Sequence, residues 1–296
     1  MTRTQANLAL LLAGAMWGMG FVAQSTAMAA VGPFLFIGLR FAVASAAVLP
    51  FALREGARSG HRLTPRDWCS FGVIGLLLFA GMAAQQWGLL TTTVTNSGFL
   101  TGLYVVIVPF LGVLIFRQWP HAVVWTSALA ALAGIWLLSG GEIGTLTHGD
   151  WLTILCALLW ALQMIFIARD ARHTGRPITL AVTQFGVCAA LGLLGALASE
   201  TIRWQAILAA GPEILYSGIF SGGIAFTLQA VGQRYTTAPQ AAIFLSSEAV
   251  FAAFFGAVLL GERLAAAGLL GCALILAAIL AVEIVPVLRA KSRVTP

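Results

Sequence analysis

The sequence predicts an all-α integral membrane protein whose ten transmembrane helices form two inverted five-helix repeats. Three observations carry this. Sixty per cent of the 296 residues are hydrophobic and 9% charged, with a mean hydropathy of +0.95, a composition that soluble globular domains do not have. The apolar runs are continuous and about twenty residues long rather than alternating, so helices and not barrel strands satisfy the backbone in lipid. Finally, the chain is written twice, about 144 residues apart. Pro33 reappears as Pro177, Phe41 as Phe185, Val43 as Val187, Gln85 as Gln229, Gly88 as Gly232, Phe110 as Phe254 and Gly112 as Gly256, with Trp17 echoed by Trp160 one residue out of step. Such a repeat decides architecture before any local reading does.

Ten apolar runs are bounded by charge, by Gly or Pro, or by threonine clusters. Span one, 6–29, follows Arg3 and passes Ser25-Thr26-Ala27, which also resembles a cleavable signal peptide. Its counterpart, Ile154 to Phe166, lies mid-chain where nothing is cut, so span one is kept. Span two, 33–53, opens at Pro33 and stops at Arg54. Span three, 67–90, runs from beyond Arg66 to the threonines at 91–93, and span four, 95–116, stops at Arg117. Span five, 121–139, lies between Pro120 and the polar stretch 140–149. Span six, 150–168, stops at Arg169; span seven, 177–198, opens at Pro177; span eight, 213–233, stops at Arg234. Span nine, 239–260, runs from Pro239 to Gly261-Glu262, and span ten, 265–287, lies between Arg263 and Arg289. Residues 1–143 and 144–296 are thus read as two repeat domains of five spans each.

Basic residues orient the chain. The side holding the N-terminus receives Arg3, Arg54, Arg58, Arg62, Arg66, Arg117, Arg169, Arg172, Arg176, Arg234, Arg289, Lys291 and Arg293, and the other side receives Arg203 and Arg263. The positive-inside rule then places both termini in the cytoplasm, with the protein in a bacterial inner membrane. Five spans per copy send the second copy in from the opposite side. The copies are related by a pseudo-two-fold axis in the membrane plane, the geometry of alternating access.

Composition also excludes. The formal charge of +6 is accounted for by topology and does not point to nucleic acid. No connection is long enough to fold as a soluble domain, and there is no Gly-rich phosphate loop with its lysine. Cys69, Cys156, Cys188 and Cys272 are scattered singly, and His61, His121, His148 and His173 fall in polar connections. No metal site, cofactor, disulfide framework or enzyme activity is expected.

The stretch from Tyr235 through Ser246-Ser247-Glu248 to Gly256, ending in Gly261-Glu262, resembles the end of an EamA-type repeat. Asn96-Ser97-Gly98 through Tyr104 to Val108-Pro109 resembles the corresponding part of a first repeat. The chain is therefore similar, over nearly its whole length, to ten-helix members of the drug/metabolite transporter superfamily. The branch that exports amino acids and metabolites, including aromatic amino acids, is the nearest likeness. Two departures stand out: Ala249 follows the span-nine glutamate where such repeats often have proline, and Gln118 stands where the second repeat has Glu262. The resemblance implies a secondary transporter of a small-molecule substrate, exporting neutral or aromatic amino acids. A drug or lipophilic-cation exporter is the alternative.

Arg40 and Glu248 are the two ionisable side chains set well inside the spans. Glu248 lies about 14 Å deep at helical rise and Arg40 roughly 10 Å from the outer face. A charge so placed must face protein or a water-filled cavity, so Glu248 is read as a partner for a substrate amine and Arg40 for a carboxylate. Gln85 and Gln229, repeat equivalents, are expected to face one another across the pseudo-axis. Asn96 and Gln163 are further amides in apolar helices, serving as cavity lining or interhelical glue. Trp17 and Trp160, midway along spans one and six, are too deep for an interfacial belt and are read as an apolar cavity wall. Tyr104 is the repeat counterpart of Glu248, and Ser246 adds a hydroxyl beside it. Gly98 and Gly102, with counterparts Ala242 and Ser246, give a small-residue spacing that is read as close helix packing at the symmetry axis. Spans five and ten are expected to hold no internal charge and to act as peripheral supports or a homo-oligomer surface against the lipid bilayer.

Overall fold

The computed structural model describes all of the chain except residues 61, 93, 118, 140–145, 261–264 and 293–296, and only the backbone at 21, 22, 25, 94–96, 256, 259, 260 and 287–292. The described residues contain helices and no strand. Span one is helix Arg3–Ala27, span two Pro33–Arg58, span three Pro65–Gly88, span five Ala122–Leu138, span six His148–Thr174, span seven Pro177–Ser199 and span ten Ala266–Ser292. Eight of the spans are long and apolar enough to cross a membrane by length and composition; spans one and five complete the ten. A short helix, Trp204–Ala209, forms within the connection before span eight.

Three spans are not the continuous helices that the sequence predicts. Span four is Val94–Gly102 followed by Tyr104–Phe116, and its repeat counterpart, span nine, is Ala238–Leu245 followed by Ser247–Leu260. In span nine the Ser246 hydroxyl donates back to the Ile243 carbonyl at 2.7 Å, the kind of side-chain insertion that bends apolar helices. Span eight is Gly211–Tyr216, a π-helix Ser217–Ala225 and then Phe226–Gln233.

The first turns of spans one and six are capped locally, and those of spans two and seven from the other repeat. Spans one and six, repeat equivalents, both open with a capping box, Thr2 with Gln5 and Thr147 with Asp150, which satisfies orphan donors of the first turn. Spans two and seven open with proline and no side-chain cap of their own. Each is capped instead by the other. The Phe34 and Leu35 amides donate to Glu200, at the end of span seven, at 2.8 and 2.9 Å. The Ile178 and Thr179 amides donate to Glu55, in the last turn of span two, at 3.1 and 2.8 Å. Gly32 leaves room for the Glu200 carboxylate, which a Cβ there would displace.

Packing follows the pseudo-two-fold axis. Span two packs on seven and span five on ten, each against its own repeat equivalent; span three on six matches span eight on one, and span one on nine matches span six on four. Gly38 and Gly192 let spans two and seven meet at the backbone: a Cβ on Gly38 would lie 2.7 Å from the Leu193 nitrogen. Gly134 and Gly271 do the same for spans five and ten. The small-residue faces of those two spans are therefore spent on each other, and large apolar side chains such as Leu129, Leu269 and Leu280 point outward. Span ten also departs from the charge-free expectation. Glu283 lies in it and accepts hydrogen bonds from Asn7 at 2.7 Å and Gln240 at 3.0 Å, with Arg3 at 3.5 Å.

Candidate functional site

A small cavity lies at the centre of the bundle, lined by Trp17 and Gln24 of span one, Arg40 of span two, Met82 and Gln85 of span three, Trp160 of span six, Ser221 and Phe226 of span eight and Glu248 of span nine. Its free space of about 20 Å³ is room for roughly one water molecule. The walls are closed on their own side chains, and a metabolite enters only if they part.

Glycines on span one set the depth of Glu248. Span one presents Gly14 and Gly18 to span nine so closely that a Cβ on Gly18 would stand 2.7 Å from both the Glu248 carbonyl and the Ala252 nitrogen. Glu248 follows the break in span nine, and Tyr104 follows the equivalent break in span four. The Tyr104 hydroxyl donates to the Glu248 carboxylate at 3.2 Å. These two residues are 144 apart, so a contact between them places the pair on the pseudo-two-fold axis.

Arg40 is 1% exposed and reaches the same cavity from span two. Its guanidinium donates to Gln24 at 3.0 Å, approaches the Ser221 hydroxyl at 3.5 Å and lies over the rings of Phe36 and Phe41 at 5.5 and 5.1 Å. It forms no ion pair with Glu248. Two opposite charges thus border one cavity, each held by neutral partners. Three buried polar atoms around that cavity lack any hydrogen-bond partner among the described residues: Arg40 Nε, Trp160 Nε1 and Gln85 Oε1. Native interiors leave few such groups, and these three belong to residues that line the cavity.

The tryptophans close the cavity from opposite repeats. Trp17 Nε1 donates to the Ser221 carbonyl at 2.9 Å, and its ring meets Phe226 at 4.7 Å. That carbonyl belongs to the π-helix, a geometry that recurs at functional sites because it turns backbone groups out of the helical ladder. Trp160 lies over Gly81, where a Cβ would overlap its indole. Sequence reasoning passed over Ser221, although the run Ser217-Gly218 and Ser221-Gly222-Gly223 marks a place where a helix can be rewound. Met82 and Phe226 carry no polar signal in the sequence at all.

The remaining predicted residues are distributed as follows. Gln85 lines the cavity and donates to Thr101 at 3.1 Å. Gln229, its repeat counterpart, is buried but is absent from the lining, and Phe226 one turn earlier takes that place. Gln163 donates to Gln184, the counterpart of Arg40, at 3.0 Å. Each repeat therefore joins its first helix to its second through a glutamine, Gln24 to Arg40 in one and Gln163 to Gln184 in the other. Ser246 is spent on the span-nine break, and the Asn96 side chain lies outside the described residues, as do Gln118 and Glu262. Gly102 packs on Ile135 of span five, and a Cβ at Gly98 would meet nothing within 4 Å among the described residues. Ala242 is fully buried. The close approach to span nine comes from span one instead.

Comparisons with known proteins agree with this architecture. The profile of the EamA-like transporter family matches residues 4–140 and again 147–284. An uncharacterized transporter of Archaeoglobus fulgidus (strain ATCC 49558 / DSM 4304 / JCM 9628 / NBRC 100126 / VC-16) is 31% identical over 285 residues, covering 95% of this chain and 87% of its own. A solved crystal structure with 22% identity superposes with a TM-score of 0.81, over 96% of this chain and 98% of its own; at that identity the likeness speaks for the fold alone.

Proposed function

We propose that this chain, which belongs to the EamA-like transporter family, exports small zwitterionic metabolites, neutral or aromatic amino acids above all, by alternating access. One observation supports this reading above the others. Arg40 and Glu248 border the same cavity without pairing, so each charge is available to the opposite charge of a solute. Glu248 receives the ammonium group, Arg40 the carboxylate, and Trp17 and Trp160 flank the side chain. The interaction is worth more here than in water because the walls exclude solvent.

Alternation follows from the inverted repeats. Exchanging the conformations of the two copies moves the opening from one face to the other around a fixed axis. The Tyr104–Glu248 contact sits on that axis, and the breaks in spans four and nine beside it supply hinges in equivalent places. The arginine distribution supports cytoplasmic termini.

Proteoliposomes loaded with a panel of labelled amino acids should release some of them faster than protein-free vesicles do. Release of none of them, with transport of lipophilic cations in the same vesicles, would replace the amino-acid reading by the cation one.

A further inference from the structure

A second, much larger cavity opens on the face that carries the N-terminus. Its volume is about 730 Å³, within the roughly 300–1,000 Å³ of ligand pockets. It shares no lining residue with the central cavity. The wall is formed where spans five and ten, in backbone contact at Gly134 and Gly271, run on to Val123 and Val282 and meet the ends of spans four and six and the start of span nine.

The chemistry of this wall is divided. Its body is apolar, with Phe116, Val123, Val124, Ile165 and Val282, and Trp119 stands 78% exposed. Arg3, Arg169, Arg172, His121 and His173 supply its polar side, and among the described residues no carboxylate lines it. Asp170 and Glu283 pair with Arg169 and Arg3 at 2.6 and 3.5 Å, and Asp67 stands 3.9 Å from His173, all from outside the wall. Arg172 donates to the Thr236 carbonyl and meets no carboxylate among the described residues. The first turns of span five and span nine also end at this cavity, and their amino-terminal dipole ends favour an anion.

We propose that this cavity is a binding site for one anionic phospholipid of the adjacent leaflet, its phosphodiester held by Arg172 and its neighbours and its acyl chain laid along the Phe116, Val123 and Ile165 wall. A soluble anion would leave that apolar surface wet, and a zwitterionic lipid would gain less from the arginines. Basic pockets between transmembrane helices near a membrane surface recognise anionic headgroups on these terms. The site lies apart from the central cavity, so its occupancy is independent of which solute is carried.

The test is native mass spectrometry of the delipidated full-length protein, titrated with phosphatidylglycerol, with phosphatidylcholine of the same acyl chains, and with glycerol phosphate as the headgroup alone. Wild type should retain one phosphatidylglycerol in preference to phosphatidylcholine. Arg172→Gln should weaken phosphatidylglycerol retention about five-fold, the effect of one cation near a membrane surface, with phosphatidylcholine unchanged. Val123→Trp, which puts bulk on the wall where the acyl chain lies, should weaken phosphatidylglycerol retention further. Equal retention of the two lipids by wild type, or no effect of Arg172→Gln, overturns the proposal. Glycerol phosphate binding as tightly as the lipid, and surviving Val123→Trp, would make this an anion site and overturn it too. Size-exclusion profiles check folding; if Val123→Trp does not fold, the lipid ratio with and without Arg172→Gln decides alone.

Discussion

Removing the Glu200 carboxylate should free one end of span two and leave the other end intact. In Glu200→Ala the Phe34 and Leu35 amides lose acceptors at 2.8 and 2.9 Å, and no side chain at the Gly32 cap position replaces them. A hydrogen bond to a charged group contributes about 1.5–3 kcal/mol. The lower figure applies because the site is half-buried, so two such bonds give about 3 kcal/mol. Glu200→Gln keeps one carbonyl acceptor and should lose about half of that. Hydrogen exchange followed by mass spectrometry reads the effect locally. A loss of about 3 kcal/mol corresponds to roughly hundred-fold faster exchange at residues 34 and 35. The amides of 178 and 179, held by Glu55, should be unchanged. Glu55→Ala should give the mirror result, acceleration at 178 and 179 with 34 and 35 protected. Exchange at 34 and 35 within about two-fold of wild type in Glu200→Ala would refute the reciprocal capping on which this rests.

Two further outcomes follow from the packing. Gly38→Leu should prevent monodisperse purification, because its Cβ alone would fall 2.7 Å from the Leu193 nitrogen and overpacking costs about 1–3 kcal/mol or more; Gly98→Ala, with nothing among the described residues within 4 Å of the new atom, should be tolerated in the same size-exclusion assay. Trp17→Phe keeps an aromatic ring beside Phe226 but removes the 2.9 Å bond to the Ser221 carbonyl. Loss of this intramolecular bond should lower stability by about 1 kcal/mol, read as a fall in the thermal unfolding midpoint, and an unchanged midpoint would show that the bond does not hold span one to the π-helix.

Membrane helices, their number and their duplication were legible because lipid imposes them through composition: an apolar run must close its own hydrogen bonds. The burial of Arg40 and Glu248 was legible for the same reason, since an ionisable residue in such a run stands out. Helix interruptions were not. Span four contains Pro109 and span nine Pro239, yet the breaks fall at Leu103 and Ser246, and the serine back-bond at Ser246 is a weaker signal in the sequence than a proline. Ser221 escaped notice because its contribution is partly a backbone carbonyl presented by a π-helix. The 144-residue offset paired Tyr104 with Glu248 but could not tell which equivalent residues touch. Only those on the axis do, and Gln229 shows the limit: one turn of difference gives its place at the cavity to Phe226. The capping by Glu55 and Glu200 carries no local signal, because their partners lie in the other repeat.

The central claim is that Arg40 and Glu248 divide one zwitterion between them. Calorimetric titration with phenylalanine, phenethylamine and 3-phenylpropionate tests it directly, in wild type, Arg40→Gln and Glu248→Gln. Truncating one partner of a desolvated charge pair costs about 2–5 kcal/mol, or roughly thirty-fold and upward in affinity. Arg40→Gln should therefore weaken phenylalanine and 3-phenylpropionate by that factor and spare phenethylamine. Glu248→Gln should weaken phenylalanine and phenethylamine and spare 3-phenylpropionate. If each substitution weakens both half-ligands alike, or leaves phenylalanine bound as in wild type, the two charges do not divide the solute and the account is contradicted.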